Sequence, residues 1–223
     1  MLLRYLSPSG SYRCENIIRK SRFIASIAPV ADMEETDRFL LSIKKEFRDA
    51  SHNCYACRIG TSSPLERSGD GGEPQGTAWH PILDVLKKRD LTNAVIVVTR
   101  YFGGIKLGTG GLCRAYAGSA AQAASQASIA AYTPHIRASL SLPYDFLGAC
   151  MKYLESTDIM ITERNFSDHV RMTLAIPSDG YAALEKALTD LSAARARLTA
   201  EKEIYIPLPV RKAAEGDLEH GTT

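Results

Sequence analysis

The sequence predicts an α+β protein of two domains, and three observations lead to this prediction. Between Ala94 and Ala131 an apolar run, a glycine-rich stretch and a run of small residues follow one another, an order that predicts strand, loop and helix. The segment Tyr132-Thr133-Pro134 then marks a boundary, because a helix seldom continues through proline. Beyond it a separate series of strand and helix patterns begins, so we expect a second domain there.

The first domain begins with two strands, predicted over Tyr12–Ile18 and Arg22–Val30 from their β-forming residues. Asp32 is suited to cap a helix, and Glu35 three residues later completes a capping box. A continuous β-branched run over Asn93–Thr99 predicts a buried central strand. The other predicted elements are a strand over Asn53–Ile59, a long loop over Thr61–Gly76, a helix over Thr77–Lys88 and a helix over Leu112–Ala131.

The second domain is predicted to have the element order β-α-β-β-α-β, which is typical of a ferredoxin-like fold. We expect its helices to cover one face of the sheet and to leave the other face open to a partner. Ser178 is the predicted cap of its second helix. We place the first domain at residues 1–132, the second at residues 135–208 and a polar, disordered tail at residues 209–223.

The most informative stretch is Arg100–Tyr116, where five glycines lie within nine residues. We call residues 102–111 the glycine loop. Glycine reaches positive φ, and the first N–H groups of the following helix have no intrahelical partner. No Asp or Glu occurs between Asp90 and Asp145, so the local field is positive and favours an anion. The candidate binding residues are Arg100, Gly103, Gly104, Lys106, Gly108, Thr109, Gly110, Gly111 and Arg114.

A simpler interpretation is that these glycines only allow a tight connection and close packing of the helix on the sheet. The stretch matches neither a P-loop nor a dinucleotide-binding fingerprint, so no cofactor is predicted. Cys54 and Cys57 form a C-x-x-C, but on a strand residues three apart face opposite sides. Core packing is therefore the predicted role of both cysteines, and no metal site is predicted.

A second glycine-rich segment, Ser68–Ala78, contains Asp70 and Glu73. These carboxylates are candidates for acid–base chemistry or for a hard cation, and His52 is a further acid–base candidate. In the interpretation that we favour, Asp70 shapes a turn, Glu73 tethers the loop and Thr77 caps the next helix. His52 is then a buried, hydrogen-bonded side chain.

The composition argues against a strongly charged protein, a secreted protein and a membrane-spanning protein. The 223 residues are 45% hydrophobic and 23% charged with a net charge of +2, so any basic surface has to be local. The N-terminus lacks the apolar core of a signal peptide, and no apolar run approaches the ~18 residues that cross a bilayer. We therefore expect a cytoplasmic protein with reduced cysteines and no membrane partner.

Three passages resemble the YigZ/IMPACT family. They read D-A-S-H-N-C-Y-A at 49–56, G-E-P-Q-G-T-A at 72–78 and V-T-R-Y-F-G-G-I-K-L-G-T-G-G-L-C-R-A-Y at 98–116. The resemblance implies a first domain like domain 2 of ribosomal protein S5, a ferredoxin-like second domain and a role in the regulation of translation. Two residues depart from the family's pattern: Gly71 replaces an acidic residue, which weakens two-carboxylate or metal chemistry, and Trp79 replaces a glycine.

Three functional hypotheses follow. In the first, Arg100, Lys106 and Arg114 hold phosphates of RNA, of the ribosome or of a translation-associated protein on the glycine loop. In the second, the chain is an enzyme for a small phosphorylated or carboxylated substrate, with His52 and Glu73 in acid–base roles. In the third, it is a protein-interaction module in which both glycine segments serve only the fold. No residue is assigned a catalytic role in the first and third hypotheses.

Overall fold

The computed structural model describes residues 4–210 and confirms the predicted α+β class with two compact units. Tyr132–Ile206 forms one unit, and Arg4–Ala131 forms the main part of the other. The predicted disordered tail lies, from residue 211 onward, outside the described residues. Among the helices of residues 4–210, none has the length and apolar character needed to cross a membrane.

The first unit is an antiparallel sheet with helices on both faces. The unit begins with β1 (Tyr5–Pro8), which is not part of this sheet. The strands of the sheet are β2 (Tyr12–Ile18), β3 (Ser21–Pro29), β4 (His52–Ile59), β5 (Leu65–Gly69) and β6 (Ala94–Tyr101), and the helices are α1 (Met33–Glu46), α2 (Trp79–Lys88) and α3 (Thr109–Gln126). The sheet order is β2-β3-β6-β4-β5. Both faces of the central strands β3 and β6 are buried, which explains their nearly continuous apolar sequences.

Each face of this sheet has its own hydrophobic core. The face covered by α2 and α3 contains Phe23 and Tyr116, whose rings meet edge to face with centroids 5.4 Å apart. The face covered by α1 contains Ile43 and Val97. The predicted N-cap of α1 is confirmed, because Asp32 Oδ1 accepts a hydrogen bond of 2.8 Å from the Glu35 N–H.

The second unit has the predicted β-α-β-β-α-β order. Its elements are β7 (Ile129–Leu142), α4 (Leu147–Glu155), β8 (Met160–Phe166), β9 (Val170–Pro177), α5 (Tyr181–Ser192) and β10 (Arg197–Pro209). β9 lies between β7 and β8 and is antiparallel to both, and β10 pairs with β7. Alternate residues of β7 and β9, such as Leu140 and Leu174, face a core shared with α4 and α5.

Three details of the predicted elements are wrong. The loop predicted over Thr61–Gly76 contains β5, which is a strand because it pairs with β4 and not because of its residue types. The helix predicted to reach Ala131 ends at Gln126, since runs of Ala and Ser do not distinguish helix from strand. Ser178 does not cap α5, which begins without a side-chain cap.

Candidate functional site

The glycine loop leads from β6 into the first turn of α3 and presents a run of free backbone N–H groups. The N–H groups of Phe102 and Gly103 donate to the hydroxyls of Ser51 and Ser21, at 3.0 and 3.2 Å. Within the described residues, the N–H groups of residues 104–111 have no protein acceptor. These donors lie near the positive end of the α3 dipole, so the loop is suited to bind an anion.

The tip of the β2–β3 hairpin, Arg19-Lys20, lies directly against the glycine loop. A Cβ on Gly103 would lie 2.0 Å from the carbonyl carbon and oxygen of Lys20, so only glycine permits this approach. Arg19 and Lys20 have φ values of +45° and +65°. A two-residue hairpin turn with these values usually contains Asn-Gly, so two basic residues here strain the backbone.

A groove of about 240 Å³ lies between the hairpin tip and the first turns of α3. Arg19, Leu107 and Arg114 contribute to its lining. Arg19, Arg114 and the neighbouring Lys106 are exposed, and none of the three forms an ion pair within residues 4–210. We call this groove the basic groove; its lining consists of Ile18, Arg19, Leu107, Gly111, Arg114 and Ala115.

Arg100 lies beneath the glycine loop and not in the basic groove. Its side chain is only 5% exposed. Nη1 donates to Glu73 Oε1 at 2.6 Å, and Nη2 donates to the Ser21 hydroxyl at 3.3 Å. Strand alternation explains this placement, because Arg100 shares a face of β6 with Val98 of the core under α3. The sequence grouped Arg100 with the anion-binding residues, whereas the structure makes it a support for the loop.

The other predicted binding residues fall into two groups. Gly103 and Gly104 lie on the hairpin side of the loop, and the remaining residues lie along the approach to α3 and its first turns: Lys106, Gly108, Thr109, Gly110, Gly111 and Arg114. Sequence reasoning missed Arg19 and Lys20. A basic pair at a two-residue turn between strands, where Asn-Gly is usual, was the signal that identifies them.

Glu73 is the centre of a buried polar cluster that joins the second glycine-rich segment to β6 and α3. Its Oε1 accepts hydrogen bonds from Arg100 Nη1 at 2.6 Å and from the Tyr116 hydroxyl at 2.8 Å. His52 Nε2 lies 3.8 Å from the same oxygen, and His52 Nδ1 donates to the Gly71 carbonyl at 3.1 Å. His52 is therefore hydrogen-bonded to the protein through Nδ1 and is partly exposed, and Glu73 acts as a tether.

Asp70 and Thr77 bond to the backbone of the same segment. The Asp70 carboxylate accepts hydrogen bonds from the N–H groups of Ala78 and Trp79, at 3.0 and 3.1 Å. Asp70 thus caps the N-terminus of α2, a role that we predicted for Thr77. The Thr77 hydroxyl instead donates to the Pro74 carbonyl at 2.6 Å. Neither side chain is arranged for acid–base chemistry or for a metal.

Cys54 and Cys57 lie on opposite faces of the sheet. Cys54 belongs to the core under α2 and α3, and Cys57 belongs to the core under α1. The Cys54 thiol donates to the Asp70 carbonyl at 2.8 Å. Burial raises the pKa of Cys54 to about 12 and also raises the pKa of Cys57, so both remain thiols at neutral pH. This geometry does not allow the two sulfurs to share a metal or to form a disulfide.

We expect a thiol reagent at about pH 8 to leave Cys54, Cys57 and Cys150 unmodified in the native protein, because burial raises the pKa of all three thiols. All five cysteines should react once the chain is unfolded in denaturant. Mass spectrometry of the labelled protein measures both results. Modification of Cys54 under native conditions, at a rate independent of unfolding, would contradict this expectation.

Known proteins and family models match this chain along nearly its whole length. The model of the Impact N-terminal domain matches residues 19–124, and that of a domain of unknown function (DUF1949) matches residues 140–195. The chain is 33% identical over 215 residues to "IMPACT family member YvyE" of Bacillus subtilis, covering 96% of this chain and 99% of that protein. It is 33% identical over 201 residues to "IMPACT family member YigZ" of Escherichia coli, covering 89% and 98%.

More distant and structural similarities are consistent with these matches. Over 95 residues the chain is 34% identical to "Protein IMPACT" of Rattus norvegicus, which covers 40% of this chain and 29% of that protein. A crystal structure described as that of "an hypothetical protein" aligns with a TM-score of 0.62 at 32% identity, covering 91% of this chain and 99% of the other. The similarity thus includes both units in the bacterial relatives.

Proposed function

Since this chain belongs to the IMPACT family, we propose that it acts around translation by binding RNA through the basic groove and the glycine loop. The observation that carries the proposal is the set of three exposed cations, Arg19, Lys106 and Arg114, that have no acidic partner among the described residues. Unpaired cations from two separate elements beside free N–H groups form a site for phosphate.

The size of the site favours the phosphate of a polymer over a small cofactor. The basic groove has a volume of about 240 Å³, which is below the range of pockets that enclose drug-sized ligands. One phosphate in the groove and its neighbours along the glycine loop would contact several donors at once. Such contacts supply affinity without reading the sequence of the RNA.

On the open face of the second unit's sheet, one arginine is already engaged by acidic side chains. Arg137 lies on that face, where its Nε donates to Glu201 at 3.0 Å and its Nη2 lies 3.6 Å from Glu163. The Thr173 hydroxyl also donates to Glu163. Because Arg137 is already paired with two carboxylates, and because the free N–H groups of the glycine loop lie in the first unit, the proposed RNA contact is placed on the first unit.

The salt dependence of RNA binding tests the proposal. We expect fluorescence anisotropy with a short labelled RNA to show an affinity that falls steeply between about 50 and 200 mM salt. Lys106→Ala and Arg114→Ala should each weaken binding and reduce the slope of log affinity against log salt by about 0.7 per lost phosphate contact. Binding that is absent at low salt, or insensitive to salt, would exclude the proposal.

Lys44→Ala is the matched control for these variants. Lys44 is an exposed lysine in the last turn of α1, on the opposite face of the sheet from α3. Its loss changes the net charge by the same amount as Lys106→Ala, so a purely global charge effect would lower RNA affinity equally in both variants. We expect Lys44→Ala to leave the salt slope unchanged.

The enzyme hypothesis has less support from the geometry. His52 and Glu73 are adjacent, but Glu73 Oε1 already accepts two hydrogen bonds and its side chain is only 4% exposed. A general base needs a nitrogen or oxygen directed at a substrate. His52 Nδ1 donates to the Gly71 carbonyl, and the carboxylate nearest to Nε2 is this same buried and already hydrogen-bonded Glu73.

A further inference from the structure

Phe102 is an exposed aromatic residue at the start of the glycine loop. The residue is 48% exposed, although it directly follows a strand whose residues are almost all buried. The backbone on both sides is fixed, because the Phe102 N–H donates to the Ser51 hydroxyl and Gly103 packs against the carbonyl of Lys20. An exposed ring on a fixed backbone is not a consequence of loop flexibility.

The Phe102 ring rests on a buried, charged support. The guanidinium carbon of Arg100 lies 5.3 Å from the centroid of Phe102 and 5.4 Å from that of Phe23, which is fully buried. The ion pair with Glu73 holds this guanidinium in place. Contacts of this type favour a parallel or face-on approach of the planar cation to the ring. The covered side of the Phe102 ring is therefore occupied by Arg100, and the exposed area belongs to the other side.

The surroundings of Phe102 are basic. Arg19-Lys20 lies against the adjacent Gly103, and Lys106 follows four residues later in the same loop. A flat apolar surface next to cations and free N–H groups is the combination with which proteins bind single-stranded nucleic acid, since the cations track phosphates while an aromatic ring stacks on a base. A base on Phe102 would contact the ring on the side away from Arg100.

We infer that Phe102 is a stacking platform for an unpaired base, so that the RNA bound at the basic groove is single-stranded there. This inference rests on the proposed function, because the cations of the groove supply the phosphate contacts. In a duplex both faces of each base are covered by neighbouring bases, so the ring has no base to stack on. The site then discriminates single-stranded from double-stranded RNA without reading sequence.

Phe102→Leu tests this inference, because leucine keeps an apolar side chain but removes the flat ring. We expect its affinity for a short oligouridylate to fall about 5- to 150-fold, the effect of losing one stacked base. The salt slope should stay at the wild-type value, since no charge changes. Phe102→Trp should retain the affinity, and its added indole fluorescence should be quenched on binding. Affinity for a duplex RNA of the same length should be equal in all three proteins.

Phe166→Leu is the matched control, since Phe166 is 58% exposed on β8 in the other unit. Thermal unfolding of Phe102→Leu measures whether the first unit remains folded without the contact between Phe102 and Arg100; we expect it to remain folded. If Phe102→Leu binds oligouridylate as tightly as the wild type while Lys106→Ala still weakens binding, the stacking inference is wrong and the proposed function stands. If the wild type binds neither RNA at low salt, both are wrong.

Discussion

Glu73→Gln is expected to lower the free energy of unfolding of the first unit by about 3–5 kcal/mol. The substitution keeps the shape of the side chain and an oxygen that can accept from Tyr116, but it leaves the guanidinium of Arg100 buried without a countercharge. The side chains of Glu73 and Arg100 are only 4% and 5% exposed, so water cannot replace the lost partner. Urea unfolding followed by the fluorescence of Trp79, the one tryptophan of the chain, measures the change in this unit.

Glu46→Gln is the control for this prediction. Glu46 forms an ion pair with Arg13 at 2.5 Å, and both side chains are more than two-fifths exposed. An exposed pair of this kind contributes about 0–1 kcal/mol, so Glu46→Gln should shift the urea midpoint only slightly. Equal destabilisation by the two variants would mean that the Glu73–Arg100 pair is solvated in solution, contrary to the structure.

Gly103→Ala is expected to destabilise the first unit by about 3 kcal/mol or more. The new Cβ would lie 2.0 Å from the carbonyl carbon and oxygen of Lys20, and these are backbone atoms that cannot rotate away. The loop and the hairpin tip would have to separate, which also breaks the hydrogen bond from Gly103 N to the Ser21 hydroxyl. We expect RNA binding to weaken as well, because Arg19 and Arg114 would no longer face the same groove.

Alanine variants of two neighbouring glycines distinguish this steric clash from a general sensitivity of the loop to substitution. Gly110 lies in α3 with only the end of the Arg114 side chain near its Cβ position, so Gly110→Ala should be neutral or stabilising by up to about 1 kcal/mol. Gly104 has open space but a φ of +84°, so Gly104→Ala should show only backbone strain, about 1–2 kcal/mol. A Gly103→Ala protein as stable as Gly110→Ala would show that the hairpin contact is absent in solution.

Strong local patterns allowed most of the fold to be predicted. A continuous apolar run predicted β6, and capping residues predicted the start of α1. In the second unit, alternation of apolar and polar residues predicted β7. β5 carries no such signal, since Leu65–Gly69 becomes a strand only through its backbone pairing with β4. The end of α3 was mispredicted because alanine and serine fit the buried face of either element.

The part of the candidate site formed by residues close together in sequence could be predicted. The part formed by residues from distant segments could not. The glycine loop, Lys106 and Arg114 are neighbours in sequence, and their clustering was visible there. The contact between Gly103 and Lys20 joins residues more than eighty positions apart, so Arg19 was overlooked. Arg100 was grouped with the loop because it lies only two residues before it in sequence, whereas its partner Glu73 comes from another segment.

The left-handed turn at Arg19-Lys20 affects thermal stability and affinity for an anionic ligand in opposite directions. Replacing the pair with Asn-Gly would relieve two unfavourable φ angles and so raise the melting temperature. The same replacement would delete two positive charges from the rim of the basic groove. Selection or engineering for a higher melting temperature alone would therefore favour Asn-Gly at this turn. The resulting protein would be more stable but would bind an anionic ligand more weakly.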